Sequence, residues 1–190
     1  LAPYWEREGS EPVAARLGLR SLALWRREAP DTPFHGSLVV AHARDRSDFA
    51  RFARVTSNYQ RVGGDDLTRI EPALDGRFHD ALFFPEEGHV EPRRAVPDLH
   101  AAIRAAGGEI LYGSDARAED LDGTVIDCRG LAARDIFPDL RGVKGEEIIV
   151  ETDEVELARP LRLLHPRWPL YLIPRDNHRF MIGATSIERE

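Results

Sequence analysis

Tyr171 lies in the stretch PLYLIPRDNHRFMIGAT, residues 169–185, where two short apolar runs flank a polar turn. As strands of a hairpin, they place Tyr171 and Ile173 on one face and Leu170 and Leu172 on the other. A phenol there can donate a hydrogen bond to a carboxylate ligand. It can equally be a packing residue of a half-buried sheet, the commoner use of tyrosine in strands. A second group is EEGHVE, in which Glu87, His89 and Glu91 alternate. If extended, all three face one way and could hold a divalent metal. The favoured alternative is a solvated turn before a helix, with Pro92 near its first position and carboxylates suited to its start. Cys128 ends the apolar run Val125–Cys128 and reads as a small buried filler. A reactive thiol, acidified by Arg129, is the alternative. Arg175 and Arg179 flank the Asp176-Asn177 turn and read as solvated, and GGDD at 63–66 reads as a surface turn.

Other signatures of chemistry are absent. The 190 residues contain no G-x-G-x-x-G, no G-x-x-x-x-G-K-[ST], no G-x-S-x-G and no H-E-x-x-H. A net charge of −7 argues against a nucleic-acid surface, which needs clustered Lys and Arg. One cysteine excludes an intrachain disulfide and a cysteine-built zinc site, and suits a reducing, cytoplasmic setting. No run approaches the roughly 20 apolar residues that span a bilayer. Hydrophobic content of 42% and charged content of 31% are those of a globular protein.

Periodicity predicts the elements that must position these groups. EPVAARLGLRSLALWRRE reads as a helix with Ala14, Leu17, Leu24 and Trp25 on its apolar face. GSLVVAHA reads as a strand, and RDRSDFARFARVTSN as a helix presenting Phe49, Phe52 and Val55. DDLTRIEPAL gives one helical turn ending before Pro72. DALFFPEEGHVEP reads as a strand, a turn and a second short strand. RRAVPDLHAAIRAAGG is a helix with Val96, Leu99, Ile103 and Ala106 as its stripe and Gly107-Gly108 as its stop. Pro97 fits it only if the helix begins nearby. EILYG, Val125–Cys128 after an Asp122-Gly123 turn, VKGEEIIVET and RPLRLLH read as further strands, with the hairpin supplying two more. The fold class is therefore α+β, a mixed or antiparallel sheet with helices.

Four of these stretches, in order, resemble the FAD-dependent D-amino-acid oxidase superfamily, and within it the glycine oxidases of thiamine biosynthesis. ALFFPEEGHVEPRRAVPDLHAAIRAAGGEILYG resembles the family's substrate-domain strand, its VEP crossing to the cofactor domain, and the helix and strand that follow. VIDCRGLAAR resembles the strand and turn, often A-T-G, that bring backbone against FAD. VKGEEIIVE resembles the family's R/K-G-E/Q strand, and YLIPRDNHRFMIGAT its Y-x-x-P-R…x-x-G-A-T hairpin. LAPYWE resembles the segment just after the flavin-contacting A-G-M. Arg129 stands where the family has threonine, and Pro169 where glycine oxidases often have histidine.

The resemblance implies a substrate-binding domain from residues 5–90 and 141–190, with 91–140 a remnant of an α/β FAD-binding domain. It implies oxidation of a small amino acid, most closely glycine, at its Cα–N bond. FAD would be the cofactor and O2 the electron acceptor, giving an imine or 2-oxo acid, ammonia and hydrogen peroxide, with no nucleic acid or membrane partner. Tyr171 would bind the substrate carboxylate. Ala116 would meet the adenine end of FAD, Cys128 and Gly130 would line its path, and Leu1, Ala2 and Pro3 would lie near the isoalloxazine. The family carries a glycine-rich βαβ unit ahead of the position of Leu1 and a substrate-binding arginine beyond that of Glu190. The chain is accordingly expected to be a fragment that holds FAD poorly and is inactive alone. Rival readings are a sarcosine or D-amino-acid oxidase or a dehydrogenase of the same fold, and a flavin-less interaction domain. The oligomeric state stays open, a homo-oligomer included.

Overall fold

The computed structural model describes residues 1–29 and 31–188. Its strands form one seven-stranded sheet in the order β2-β3-β1-β5-β6-β7-β4. These are β1 (Ser37–Ala41), β2 (Gln60–Gly63), β3 (Asp80–Phe84), β4 (Ile148–Glu151), β5 (Leu161–Leu164), β6 (Leu170–Arg175) and β7 (Arg179–Gly183). Only the β1–β5 pairing is parallel, and the other neighbours run antiparallel, so the sheet is mixed. Helices α1 (Pro12–Glu28), α2 (Arg46–Val55), α3 (Asp65–Ile70) and α4 (Pro92–Ala105) accompany it.

β1 is buried on both faces, which its unbroken apolar run SLVVA anticipates. Val39 joins Tyr4, Trp5, Phe49, Phe52, Leu82, Phe84 and Leu164 on one side. Leu38 and Val40 join Val62, Leu67, Leu74, Ala81 and Leu161 on the other. α2 and the turn at residues 4–5 cover the first face, and α3 with the one-turn helix Pro72–Leu74 covers the second.

The helices and most strands lie where periodicity puts them, but several details differ. In α1 the buried residues are Ala15 and Leu22, whereas Leu17 and Leu24 are exposed. In α4 only Ala95 is buried, with Val96 and Ile103 exposed. Period 3.6 marks a helix and a preferred face, but the neighbours decide which face is covered. α4 starts at Pro92 and carries Pro97 inside it. It ends as expected at Gly107, at φ 84°, where Gly108 N–H reaches the Ile103 carbonyl at 2.9 Å, closing the last turn. The second strand expected at residues 87–91, EILYG and Val125–Cys128 form no strands. Each lacks a pairing partner among the described residues, and an unpaired apolar run gains nothing from extension. No described helix is long and apolar enough to cross a membrane.

Phe52 is fully buried. Phe52→Ala should cost about 3–5 kcal/mol by removing the ring and leaving a cavity under β1. A urea midpoint lowered correspondingly checks this; an unchanged midpoint would contradict the packing described.

Candidate functional site

The site begins with Tyr4 and Trp5, at the start of the short 3-10 helix Trp5–Glu8 and buried against the sheet. Its buried polar groups need partners. The Trp5 N–H finds the Ala2 carbonyl at 3.0 Å, and three buried side chains supply the rest. Glu87, in the loop after β3, accepts from Tyr4 N–H at 2.8 Å. Thr56, which caps α2, donates from its hydroxyl to the Tyr4 carbonyl at 2.8 Å. Arg162 of β5 donates from Nη1 to the Trp5 carbonyl. Glu87 also accepts from the Ser37 hydroxyl, so one carboxyl joins the turn to β1. Gly88 is required beside it, because a Cβ there would stand 2.3 Å from the Pro33 carbonyl oxygen.

Held this way, Trp5 stacks on Tyr171 with ring centroids 5.7 Å apart and planes 26° from parallel. Tyr171 sits opposite Arg162 in the β5–β6 register and opposite Gly183 across β6–β7. A cleft of about 620 Å³ opens over this face. Tyr171 and Ile173 from β6 and Met181 and Gly183 from β7 line its sheet side; Leu1, Ala2 and Pro3 line the wall facing them. α1 comes close through Gly18, where a Cβ would stand 2.8 Å from Pro3 Cβ. Leu172, on the opposite face, packs into the second core cluster, so the alternation expected for the hairpin holds.

The Tyr171 hydroxyl makes no hydrogen bond to a described residue, which leaves a donor in the cleft. Burial raises its pKa above the usual phenol value; the Arg162 cation opposes this, and Glu6 and Glu8 add to it. The hydroxyl therefore keeps its proton at neutral pH and can donate to a carboxylate.

The structure thus brings Tyr171 together with Leu1, Ala2 and Pro3. Ala116 and Cys128 line a different cleft, of about 680 Å³, which shares no lining residue with the first. Gly130 is exposed, at φ 60°, and opens a short 3-10 helix, Gly130–Asp135. Cys128 is exposed rather than a buried filler, because the run that carries it is not a strand of the sheet. Arg129 does not attend the thiol. Its guanidinium donates to Asp127 at 2.8 Å and to Asp135 at 3.0 Å, which holds both carboxyls below their ordinary range.

Glu87, His89 and Glu91 do not converge, and no metal-ligand cluster occurs among the described residues. Glu91 accepts from Arg93 N–H at the start of α4 and pairs with Arg175 at 3.1 Å. Arg175, expected to be solvated, is largely buried and also donates to the Val90 carbonyl at 2.9 Å. Burial, aided by the Arg175 cation, lowers the His89 imidazole to a pKa of about 4. Trp5 and Arg162 escaped sequence reasoning, and Glu87 was singled out there for a metal rather than as an anchor of the turn. The one sequence signal was a charged residue inside the apolar run of RPLRLLH; the register that sets it under Tyr171 cannot be read from one strand.

An FAD needs flat apolar room for its rings and paired donors for its pyrophosphate. The Tyr171 cleft offers the first, with Ile173, Met181 and Leu1–Pro3 around the Tyr171 phenol. The second cleft adds Ala116, Val125 and Ile126, but Asp115, Asp127 and Asp135 line it too and Arg129 is committed to two of them. The residues present fit the ring ends of such a group, and neither cleft supplies a phosphate-binding set.

Residues 1–190 match the family of FAD dependent oxidoreductases. Over its whole length the chain is 42% identical to a Rhizobium etli protein named for thiamine biosynthesis, the oxidoreductase ThiO, and spans 58% of that protein. Glycine oxidase from Geobacillus kaustophilus superposes on 99% of the chain, and the match covers 60% of that structure, with a TM-score of 0.66 at 21% identity. L-proline dehydrogenase from P. horikoshii gives 0.67 at 13% identity, covering 95% of this chain and 58% of that one. At these identities the structures show the shared fold.

Glu87 yields a test of the anchored turn. Burial raises its pKa to about 7 from the ordinary 4.5, against the lowering effect of the Ser37 and Tyr4 hydrogen bonds. Folding then favours the protonated form. The associated stability is complete below pH 4.5 and is lost as pH rises through about 7, by about 3 kcal/mol. His89, lowered to about 4, acts in the opposite sense and is common to both proteins, so the stability of Glu87→Gln relative to the parent should rise by about 3 kcal/mol across this interval in urea unfolding; a difference between the two that does not change with pH would contradict the assignment.

Proposed function

This chain belongs to the FAD-dependent oxidoreductase family, and from that premise we propose that the protein carrying it oxidises a small amino acid, glycine first, at the Cα–N bond. The observation that carries the reading is Tyr171, whose hydroxyl has no hydrogen-bond partner among the described residues, in one cleft with Leu1–Pro3 on the facing wall. Bound there, FAD would supply the two-electron oxidation and pass the electrons to O2, giving hydrogen peroxide. The chain's own residues bind and orient. Tyr171 donates to the substrate carboxylate, Trp5 and Ile173 exclude water from one side, and Leu1–Pro3 form the wall against which the ring system rests. No titratable base in the cleft is needed if the hydrogen leaves Cα with its electron pair. The imine product hydrolyses to a 2-oxo acid and ammonia.

The identity with a relative named for thiamine biosynthesis supports the same role for this protein. We further assign residues 5–90 and 141–190 to substrate binding and 91–140 to the cofactor side; residues 189 and 190 lie outside the described residues. In support, all seven strands come from segments 37–84 and 148–183. Within this proposal Ala116 would meet the adenine end of the cofactor, and Cys128 and Gly130 would line its path.

The complete protein should bind flavin, whose absorbance bleaches when glycine is added without air, and should release peroxide with air. Tyr171→Phe should raise KM for glycine roughly tenfold, the worth of one hydrogen bond to a charged group, with a smaller effect on kcat. A colourless protein would contradict the oxidase reading and favour an interaction domain. Bleaching without peroxide would make it a dehydrogenase. Preference for sarcosine or D-alanine would reassign the substrate.

A further inference from the structure

Arg162 is a buried cation in a place where one is costly. Its residue is 9% exposed, and its Nε has no hydrogen-bond partner among the described residues. Packing alone is served as well or better by an apolar side chain of similar size at such a position. Its surroundings are specific. The guanidinium carbon lies 4.9 Å from the Phe52 ring centroid and 5.5 Å from that of Tyr171. Nη1 donates to the Trp5 carbonyl, and Nη2 stands 3.7 Å from a Glu8 oxygen. Glu8 is shared with Arg51, which also pairs with Asp48 at 3.1 Å. Arg162 is thus half-neutralised from the rim and open to ring faces on two sides. A cation against an aromatic face is attracted to it, more strongly when both are desolvated.

We propose that Arg162 is a positioning residue for the substrate cleft: seated between Phe52 and Tyr171 and bonded to the Trp5 carbonyl, it fixes where the Tyr171 hydroxyl stands relative to the Trp5 wall. The planar fork matters as well as the charge, because one arm must reach Trp5 while the plane stays against the rings. This rests on the reading of Tyr171 as the carboxylate contact. The charged groups that act on the phenol are Arg162, Glu6 and Glu8, and Arg162 is the one cation among them. Its removal therefore has a signature that a purely structural residue lacks.

The test uses the complete protein with 3-fluorotyrosine incorporated, since that phenol titrates at lower pH than tyrosine. The Tyr171 fluorine signal is assigned by its absence in Tyr171→Phe. In Arg162→Met the Tyr171 titration should move to higher pH, and KM for glycine should rise about tenfold with kcat changed less than about threefold. Arg162→Lys keeps the charge and loses the fork, so its titration should stay near the parent's while KM rises about threefold. A folded Met variant with both titration and KM unchanged overturns the proposal. If the Met variant does not fold, a Lys variant with parental KM overturns it, and a raised KM with parental titration supports it. If Tyr171→Phe leaves KM unchanged, the carboxylate reading fails, and the fluorine titration in Arg162→Met still decides the role of Arg162.

Discussion

The cleft depends on one constraint: the backbone of Tyr4 and Trp5 is buried at the start of a 3-10 helix, and three of its four polar groups are satisfied by side chains from elsewhere, the Trp5 N–H turning back to the Ala2 carbonyl. Glu87 takes the Tyr4 N–H, Thr56 reaches the Tyr4 carbonyl and Arg162 reaches the Trp5 carbonyl. Each of these groups, left without a partner among Phe49, Phe52 and Phe84, would cost about 1–3 kcal/mol. The three anchors come from the loop after β3, the end of α2 and the middle of β5. They meet only when the sheet is assembled in its crossed order, with β1 between β3 and β5. The turn is therefore a product of the tertiary fold. It in turn sets Trp5 on Tyr171, which gives the hairpin face its shape.

Much of the fold was legible because local patterns act locally. SLVVA is apolar on both faces and became the buried β1. DFARFARV placed Phe49 and Phe52 one turn apart, and both are buried. The alternation in LYLIPR put Tyr171 and Ile173 together on the cleft side. What failed needed information that no single segment carries. EILYG and Val125–Cys128 have strand-like composition, yet Leu111, Tyr112 and Ile126 are exposed and unpaired in any strand, because extension is stabilised only by a partner. The stripes of α1 and α4 failed for a related reason, since covering a face takes a neighbour. Arg175 read as solvated because its turn is polar, but the chain folds it back onto Glu91 and the Val90 carbonyl.

The candidate site divides along the same line. Tyr171 stood out because a phenol in an apolar hairpin is a recognisable donor, and the hairpin's register needs only two strands. Arg162 and Glu87 lie far from Trp5 and Tyr4 in sequence, and their role follows from long-range contacts alone. Ala116, Cys128 and Gly130 sit apart from Tyr171, with the first two around a separate cleft. A group touching both places would have to be extended, which FAD is.

The central claim is that Tyr171 faces the substrate carboxylate. The most direct measurement is a crystal structure of the complete protein soaked with a small unreactive carboxylate such as acetate. The account predicts a carboxylate oxygen within about 3 Å of the Tyr171 hydroxyl, inside the cleft that Trp5 and Leu1–Pro3 enclose. A carboxylate bound elsewhere, with the Tyr171 hydroxyl beyond hydrogen-bond reach, would contradict it.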